Sequence, residues 1–277
     1  MSIILVDTSY TSFYRFFATI RWYSYAHPEE FKELKDNVEY NWFTNTVFIE
    51  KYEKMYLDQI IKLIGKKIFS KAMVIFCMDS PKANLWRTTI DCDYKGNRAD
   101  MSLKYNFKPT FEYTYNSMIP KFTKMDNIHS IVVPKMEADD IIASITMYLN
   151  NTNINQEIYI VSGDEDFLQL GRKSVTFVNY KIKKPFSLSE ELAAIKLKTK
   201  LIMGDKSDCI KGIFPKGARV KKQEIIESEE KLEEYLSNNV EARKQYEFNK
   251  KMIDFKNIPV VYINKVVKIF EKLLSFN

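Results

Sequence analysis

Three short apolar runs in this chain each lead to an aspartate. Residues 2–6 (S-I-I-L-V) run into Asp7, residues 72–78 (A-M-V-I-F-C-M) into Asp79, and residues 158–161 through a glycine turn to Asp164. Short runs rich in isoleucine and valine read as buried strands, and helix-period stretches lie between them. Buried strands alternating with helices build a parallel sheet covered on both faces. One aspartate after a strand is ordinary turn chemistry. Three in three point to a shared acidic edge, and ligands bind at the carboxyl edge of such a sheet. The expected fold is α/β, with a central, mostly parallel sheet flanked by helices.

The stretch from Val133 to Leu170 sharpens this. Glu137, Asp139 and Asp140 lead into Ile141, Ile142, Ile145 and Leu149, whose spacing gives a helix one apolar face. Complementing the helix dipole accounts for one or two acids in a first turn, not three. A second cluster, Asp164 with Asp166 at the start of the next helix, follows the third strand. Carboxylates gathered at one edge repel unless cations sit among them, so divalent metal is the expected occupant.

Composition agrees. The 277 residues carry 42 Lys+Arg against 36 Asp+Glu; setting aside nine candidate metal-binding carboxylates leaves 27 acids on an otherwise basic body. An acidic cleft in a basic surface suits an enzyme that holds a polyanion and cuts it with metal. Cys77, Cys92 and Cys209 show neither disulfide nor zinc spacing, and two histidines are too few for most histidine-ligated metal chemistry. No glycine-rich nucleotide motif, basic leader or membrane-length apolar run is present, so an intracellular protein is expected.

Along the chain, helices are expected over residues 8–20 and 43–64, the second stopped by Gly65, and from Leu192 to Gly204. Residues 21–42 show weak periodicity and carry no assignment. Between Tyr94 and Tyr115, lysines and an arginine interleave with aromatics, a pattern that suits single-stranded nucleic acid. Most of those aromatics read better as the core of a helix lying on the sheet. Asp205 and Asp208 stand three apart beside a turn, among Lys206, Lys211, Lys216, Arg219, Lys221 and Lys222.

Six motifs, in order, resemble the flap endonuclease and 5′-nuclease superfamily. They are I-L-V-D at Asp7, C-M-D at Asp79, W-R-x₆-Y-K-G-N-R from Trp86 to Arg98, E-A-D-D at Glu137, S-G-D-E-D at Asp164, and M-G-D-K-S-D-C-I-K-G from Met203. The likeness is greatest to phage enzymes such as the RNase H of T-even bacteriophages, and to the 5′-exonuclease domain of bacterial DNA polymerase I. The resemblance implies a PIN-like 5′-nuclease domain over residues 1–200, with a helical arch or clamp at about 94–125. Residues 201–277 would form a helical duplex-binding region with a helix-three-turn-helix motif.

By that resemblance, Asp7, Asp79, Glu137, Asp139, Asp140, Asp164 and Asp166 are ligands mainly of a first Mg²⁺, and Asp205 and Asp208 complete a second site. Mn²⁺ is expected to substitute. Lys95 and Arg98 match the basic pair near the scissile phosphate, and Tyr94 and Arg15 match substrate-contacting positions. Lys216 and Arg219 match phosphate contacts to duplex. The implied activity is 5′-to-3′ exonuclease and flap endonuclease on DNA and RNA-primed DNA, by two metal ions about 3.5–4 Å apart, serving primer removal in replication. The implied partners are DNA with a 5′ flap or 5′ end, RNA–DNA hybrid, and replication proteins such as a single-strand-binding protein or sliding clamp. A monomer without membrane association is expected. The alternative is a non-catalytic or RNA-directed relative that only binds nucleic acid, against which the nine retained carboxylates count. The chain departs from the family pattern at Thr8, usually glycine, and at Pro215, where the duplex-binding turn normally offers backbone N–H groups that proline lacks.

Overall fold

The three apolar runs are neighbours in one five-stranded sheet. The structure, a computed structural model, describes residues 2–81, 84–96, 106–152, 156–215, 217 and 222–275. The strands are β1 (Ile3–Asp7), β2 (Met73–Met78), β3 (Ile128–Val132), β4 (Ile158–Val161) and β5 (Val175–Val178). They lie in the order β3-β2-β1-β4-β5, and all pairs are parallel. The sheet is therefore the parallel α/β sheet that the strand-to-aspartate pattern leads one to expect.

Helices cover both faces, so successive strand residues feed two cores. Ile3 and Leu5 face α7 (Ala138–Asn151) and the last helix, α12 (Val260–Ser275). Ile4 and Val6 face α1 (Thr8–Ala26), α3 (Thr46–Ile64) and the helical stretch from Lys108 to Phe122. That stretch comprises α5 (Lys108–Tyr113), a π-turn (Thr114–Met118) and α6 (Ile119–Phe122). Met118, Ile119 and Phe122 are buried in the second core, and Phe107 packs edge-on against Phe16 and Phe17. In this part of the expected arch segment these side chains pack as core, the reading preferred above for most of its aromatics; residues 97–105 lie outside the described residues.

The unassigned stretch 21–42 continues α1 to Ala26, then forms α2 (Pro28–Leu34) and a 3-10 turn at Trp42–Thr44. Tyr23 and Trp42 close the core there with ring centroids 5.4 Å apart. α3 begins one turn later than expected and ends at Gly65, whose φ of 99° provides the stop; the short α4 (Lys66–Phe69) follows.

A third apolar cluster gathers α8 (Glu190–Met203), α9 (Lys222–Glu227), α10 (Glu229–Asn238) and α11 (Val240–Ile253), together with Leu85 and Tyr94. A two-strand hairpin, β6 (Gly204–Asp205) and β7 (Ile210–Lys211), links α8 to the loop before α9. Gly204 has φ 74°, and a Cβ on it would fall 2.4 Å from the Lys211 carbonyl carbon. Only glycine lets the two backbones approach so closely there.

The expected boundary at residue 200 falls inside α8, and the chain does not stay in a separate helical region afterwards. Val266 and Phe270 of α12 are fully buried beside α7, in the sheet's own core. No helix among the described residues is long and apolar enough to cross a membrane. Because Phe270 belongs to that core, Phe270→Ala should cost about 3–5 kcal/mol of unfolding free energy in a urea titration. An unchanged midpoint would detach α12 from the sheet.

Candidate functional site

Three candidate aspartates are placed by the turns that leave their strands. Asp7 ends β1 and caps α1, accepting the Tyr10 N–H on Oδ1 at 3.0 Å and the Ser162 hydroxyl on Oδ2 at 2.9 Å. Asp79 directly follows β2; its Oδ1 accepts the Ala138 N–H at 2.6 Å, and its Oδ2 the Ser9 hydroxyl. Asp164 caps the 3-10 helix Glu165–Leu170 by accepting the Asp166 N–H at 3.0 Å. Glu137 is the N-cap of α7, whose first turn carries Asp139 and Asp140.

Four of these carboxyls depart from their ordinary values, three upward and one downward. Burial, then repulsion from Asp79, pushes the Asp7 carboxyl up to about 7. Asp79 is raised too, chiefly by burial. Asp139 is pushed well up by burial and by the adjacent Glu137 and Asp140. Glu137 goes the other way: burial would raise it, but the Lys95 ammonium and the Arg87 guanidinium overcome that and lower it.

The carboxylates form two groups with cations already among them. In the first, Glu137, Asp139 and Asp140 bring oxygens within 4.8 Å of one another. Glu137 receives Lys95 Nζ at 2.6 Å, the Tyr94 hydroxyl at 2.8 Å and Arg87 Nη1 at 3.2 Å. Asp140 is fully buried, with Trp86 Nε1 and Arg87 Nη2 each at 2.8 Å and the Glu137 N–H at 3.2 Å. In the second, Asp166, Asp205 and Asp208 likewise meet within 4.8 Å. The Lys200 ammonium lies between Asp166 and Asp205, 2.6 Å from the latter. Against the opposing effect of burial, Lys200 and Ser207 lower the Asp205 carboxyl. Lys95 Nζ also stands 3.8 Å from Asp208, so it spans both groups. A cleft of about 450 Å³ opens beside the second group, lined by Asp164, Asp166, Lys196, Lys200, Asp205 and Ser207.

This donor set suits hard divalent cations: it is all oxygen, and ammonium groups occupy positions a metal ion would compete for. Asp7, Asp79, Glu137, Asp139 and Asp164 stand at one sheet edge, while Asp166, expected with them, groups with Asp205 and Asp208. Asp140 is committed to Trp86 and Arg87.

The expected substrate contacts fare differently. Arg15 is 3% exposed, its guanidinium carbon 4.6 Å from the ring centres of both Tyr14 and Tyr180. So buried an arginine offers no phosphate contact in this conformation. Tyr94 is 1% exposed, with its hydroxyl on Glu137, so it supports the acidic group from beneath. Arg98, Lys216 and Arg219 lie outside the described residues.

Several site residues escaped the sequence reading. Arg87 is 2% exposed and also donates from Nε to the Met252 carbonyl at 2.9 Å, tying the first acidic group to α11. Its signal was its place in the W-R motif. Lys200, on the last turn of α8, reads in sequence as a plain dipole partner. Tyr10 packs on Gly163 so closely that a Cβ there would fall 1.9 Å from the phenol oxygen.

Comparisons with known proteins bear on family and fold. The family model described as 5′-3′ exonuclease, N-terminal resolvase-like domain, matches residues 2–198. A 5′-3′ exonuclease of Buchnera aphidicola subsp. Acyrthosiphon pisum (strain APS) is 29% identical over a 163-residue alignment that covers 56% of this chain and 53% of that protein. The chain thus matches about half the length of that curated relative. A bacteriophage T5 protein co-crystallised with metal ions superposes with a TM-score of 0.66 at 17% identity, covering 99% of both chains. The bacteriophage T5 flap endonuclease complex with DNA and metal ions gives 0.65 at 16% identity, covering 99% of this chain and 100% of that one. At such identities the likeness is one of fold.

The raised Asp7 carboxyl has a consequence for stability. An unfolded aspartate titrates at about 3.9, and the folded one at about 7. Between those values the folded state holds the extra proton, so this group's contribution to stability declines as pH rises through that window. In metal-free protein, Asp7→Asn should raise Tm at pH 8 by roughly 2–4 °C per kcal/mol of repulsion relieved. At pH 5, where Asp7 is already protonated, it should change Tm little. Equal shifts at both pH values would show that Asp7 does not carry this strain.

Proposed function

This chain belongs to the 5′-3′ exonuclease family, and on that footing we propose that it is a structure-specific 5′ nuclease acting on DNA and RNA-primed DNA. The observation that carries the proposal is the pair of carboxylate groups spanned by Lys95, with Lys200 inside the second. Asp7, Asp79, Glu137 and Asp139 would hold one divalent cation, with Asp164 beside them. Asp166, Asp205 and Asp208 would hold a second. Mg²⁺ fits an all-carboxylate set best, and Mn²⁺ shares its preferences.

When bound, the two ions supply the Lewis acidity that ionises water at neutral pH and offsets charge on the phosphoryl oxygens. The protein's own residues do the rest. Ser162 and the Tyr10 N–H fix the orientation of Asp7, and Ser9 and the Ala138 N–H fix that of Asp79. Lys95, which spans Glu137 and Asp208, would present its ammonium to a phosphoryl oxygen once Glu137 was engaged by metal, where a preorganised positive charge favours the transition state. Lys200, between Asp166 and Asp205, would be placed likewise at the second site. Substrate choice then rests on shape, a free 5′ end beside a duplex. The relative's complex with DNA supports DNA as the polymer held. Duplex would lie on the basic segment around β6 and β7, and primer removal in replication is the role this activity would serve.

The test is cleavage of 5′-labelled flap, nicked-duplex and RNA-primed substrates in Mg²⁺, Mn²⁺ and EDTA. Short 5′ products in either metal and none in EDTA are expected. Binding of the flap without cleavage in any divalent ion would leave only the nucleic-acid-binding alternative. Within that assay Lys95→Ala should lower the single-turnover rate by roughly 10²–10³, the scale for one lost preorganised stabiliser, with much less effect on affinity. A fall in affinity at unchanged rate would make Lys95 a docking contact.

A further inference from the structure

We infer that Tyr115 is a positioning residue for the hydrolytic reaction, fixing the Asp79 carboxylate through the hydroxyl of Ser9. The inference rests on the reading of Asp79 as a cation ligand and adds to it a support contributed by a different helix.

The hydrogen-bond direction follows from proton counting. Asp79 accepts the Ala138 N–H on Oδ1 and the Ser9 hydroxyl on Oδ2. Ser9 has one hydroxyl proton, and with the carboxylate ionised that proton goes to Asp79. The 2.8 Å contact between Ser9 Oγ and the Tyr115 phenol is therefore donated by the phenol. The outcome is a directed chain, Tyr115 to Ser9 to Asp79, that holds one carboxylate oxygen while Ala138 holds the other.

The helix is built to present Tyr115 in this way. Tyr115 precedes Met118, Ile119 and Phe122 by three, four and seven residues. In an uninterrupted α-helix that spacing would place all four on one face. Instead Thr114–Met118 is a π-turn, closed by the Ile119 N–H on the Thr114 carbonyl. Met118, Ile119 and Phe122 enter the core, whereas the Tyr115 hydroxyl meets Ser9. The turn is anchored from within, where the fully buried Thr114 hydroxyl meets the Tyr52 hydroxyl at 2.9 Å. Pro120, two residues past the turn, cannot offer the N–H that a regular helix would need there.

Tyr115→Phe removes only the phenol oxygen. The expected result is a turnover lowered about 10-fold and a raised Mg²⁺ concentration at half-maximal rate, since groups supporting a metal ligand typically carry 10–100-fold effects. Flap affinity in EDTA and Tm should stay at wild-type values. Ser9→Ala should reproduce the effect, and the double variant should lose no more than either single change, because both break one chain. Wild-type turnover and Mg²⁺ dependence in Tyr115→Phe would overturn the inference, and so would a lower Tm with an unchanged rate. Asp79→Asn separates the two levels. If it is fully active, the reading of Asp79 as a ligand fails; if it is inactive while Tyr115→Phe is normal, only the role of Tyr115 falls.

Discussion

Buried negative charge must be met by positive charge close at hand, and the rest of this structure depends on how that is done. Arg87 is the central case. From a 3-10 turn after β2 it reaches Glu137 and Asp140 at the start of α7, and the Met252 carbonyl near the end of α11. Removing either side of such a buried pair leaves an uncompensated charge, which is why the arrangement fixes geometry so firmly. Three segments far apart in the chain are thereby held in one orientation. Lys95 and Lys200 act similarly, Lys95 between Glu137 and Asp208 and Lys200 between Asp166 and Asp205.

Much of the fold was legible because its signals are local. The β-branched runs gave the strands, the aspartates marked their carboxyl ends, and Gly65 marked the end of α3. Residues 21–42 were opaque because α1 continues through residues whose aromatic side chains pack in several directions, so no single stripe appears. The return of α12 to the sheet was hidden for another reason. Its apolar face, with Val266 and Phe270, reads the same whichever core it joins, and only tertiary packing decides between them.

The site divided in the same manner. The acidic residues could be read from their clustering, but their grouping could not. Asp166 belongs with Asp205 and Asp208 because the 3-10 helix after Asp164 turns it toward α8, a matter of backbone path rather than residue type. Arg15 matched a substrate-contacting position by sequence, yet Tyr14 and Tyr180 enclose it. Ser9 and Tyr115, separated by 106 residues, carry no pattern that would pair them. Charge clusters are visible in one dimension; the partners that orient them come from other elements.

The contact between Tyr10 and Gly163 shows how such partnerships limit substitution. Gly163 has no left-handed φ, so the turn itself does not demand glycine. What excludes a larger residue is the phenol of Tyr10, which fills the space a Cβ would take. The two positions, on the helix after β1 and the loop after β4, therefore share one allotment of volume. A bulkier residue at 163 requires the Tyr10 ring to move or position 10 to shrink. Acceptable replacements at this edge are thus a property of residue pairs, and scanning either position alone would overstate how strictly it is constrained.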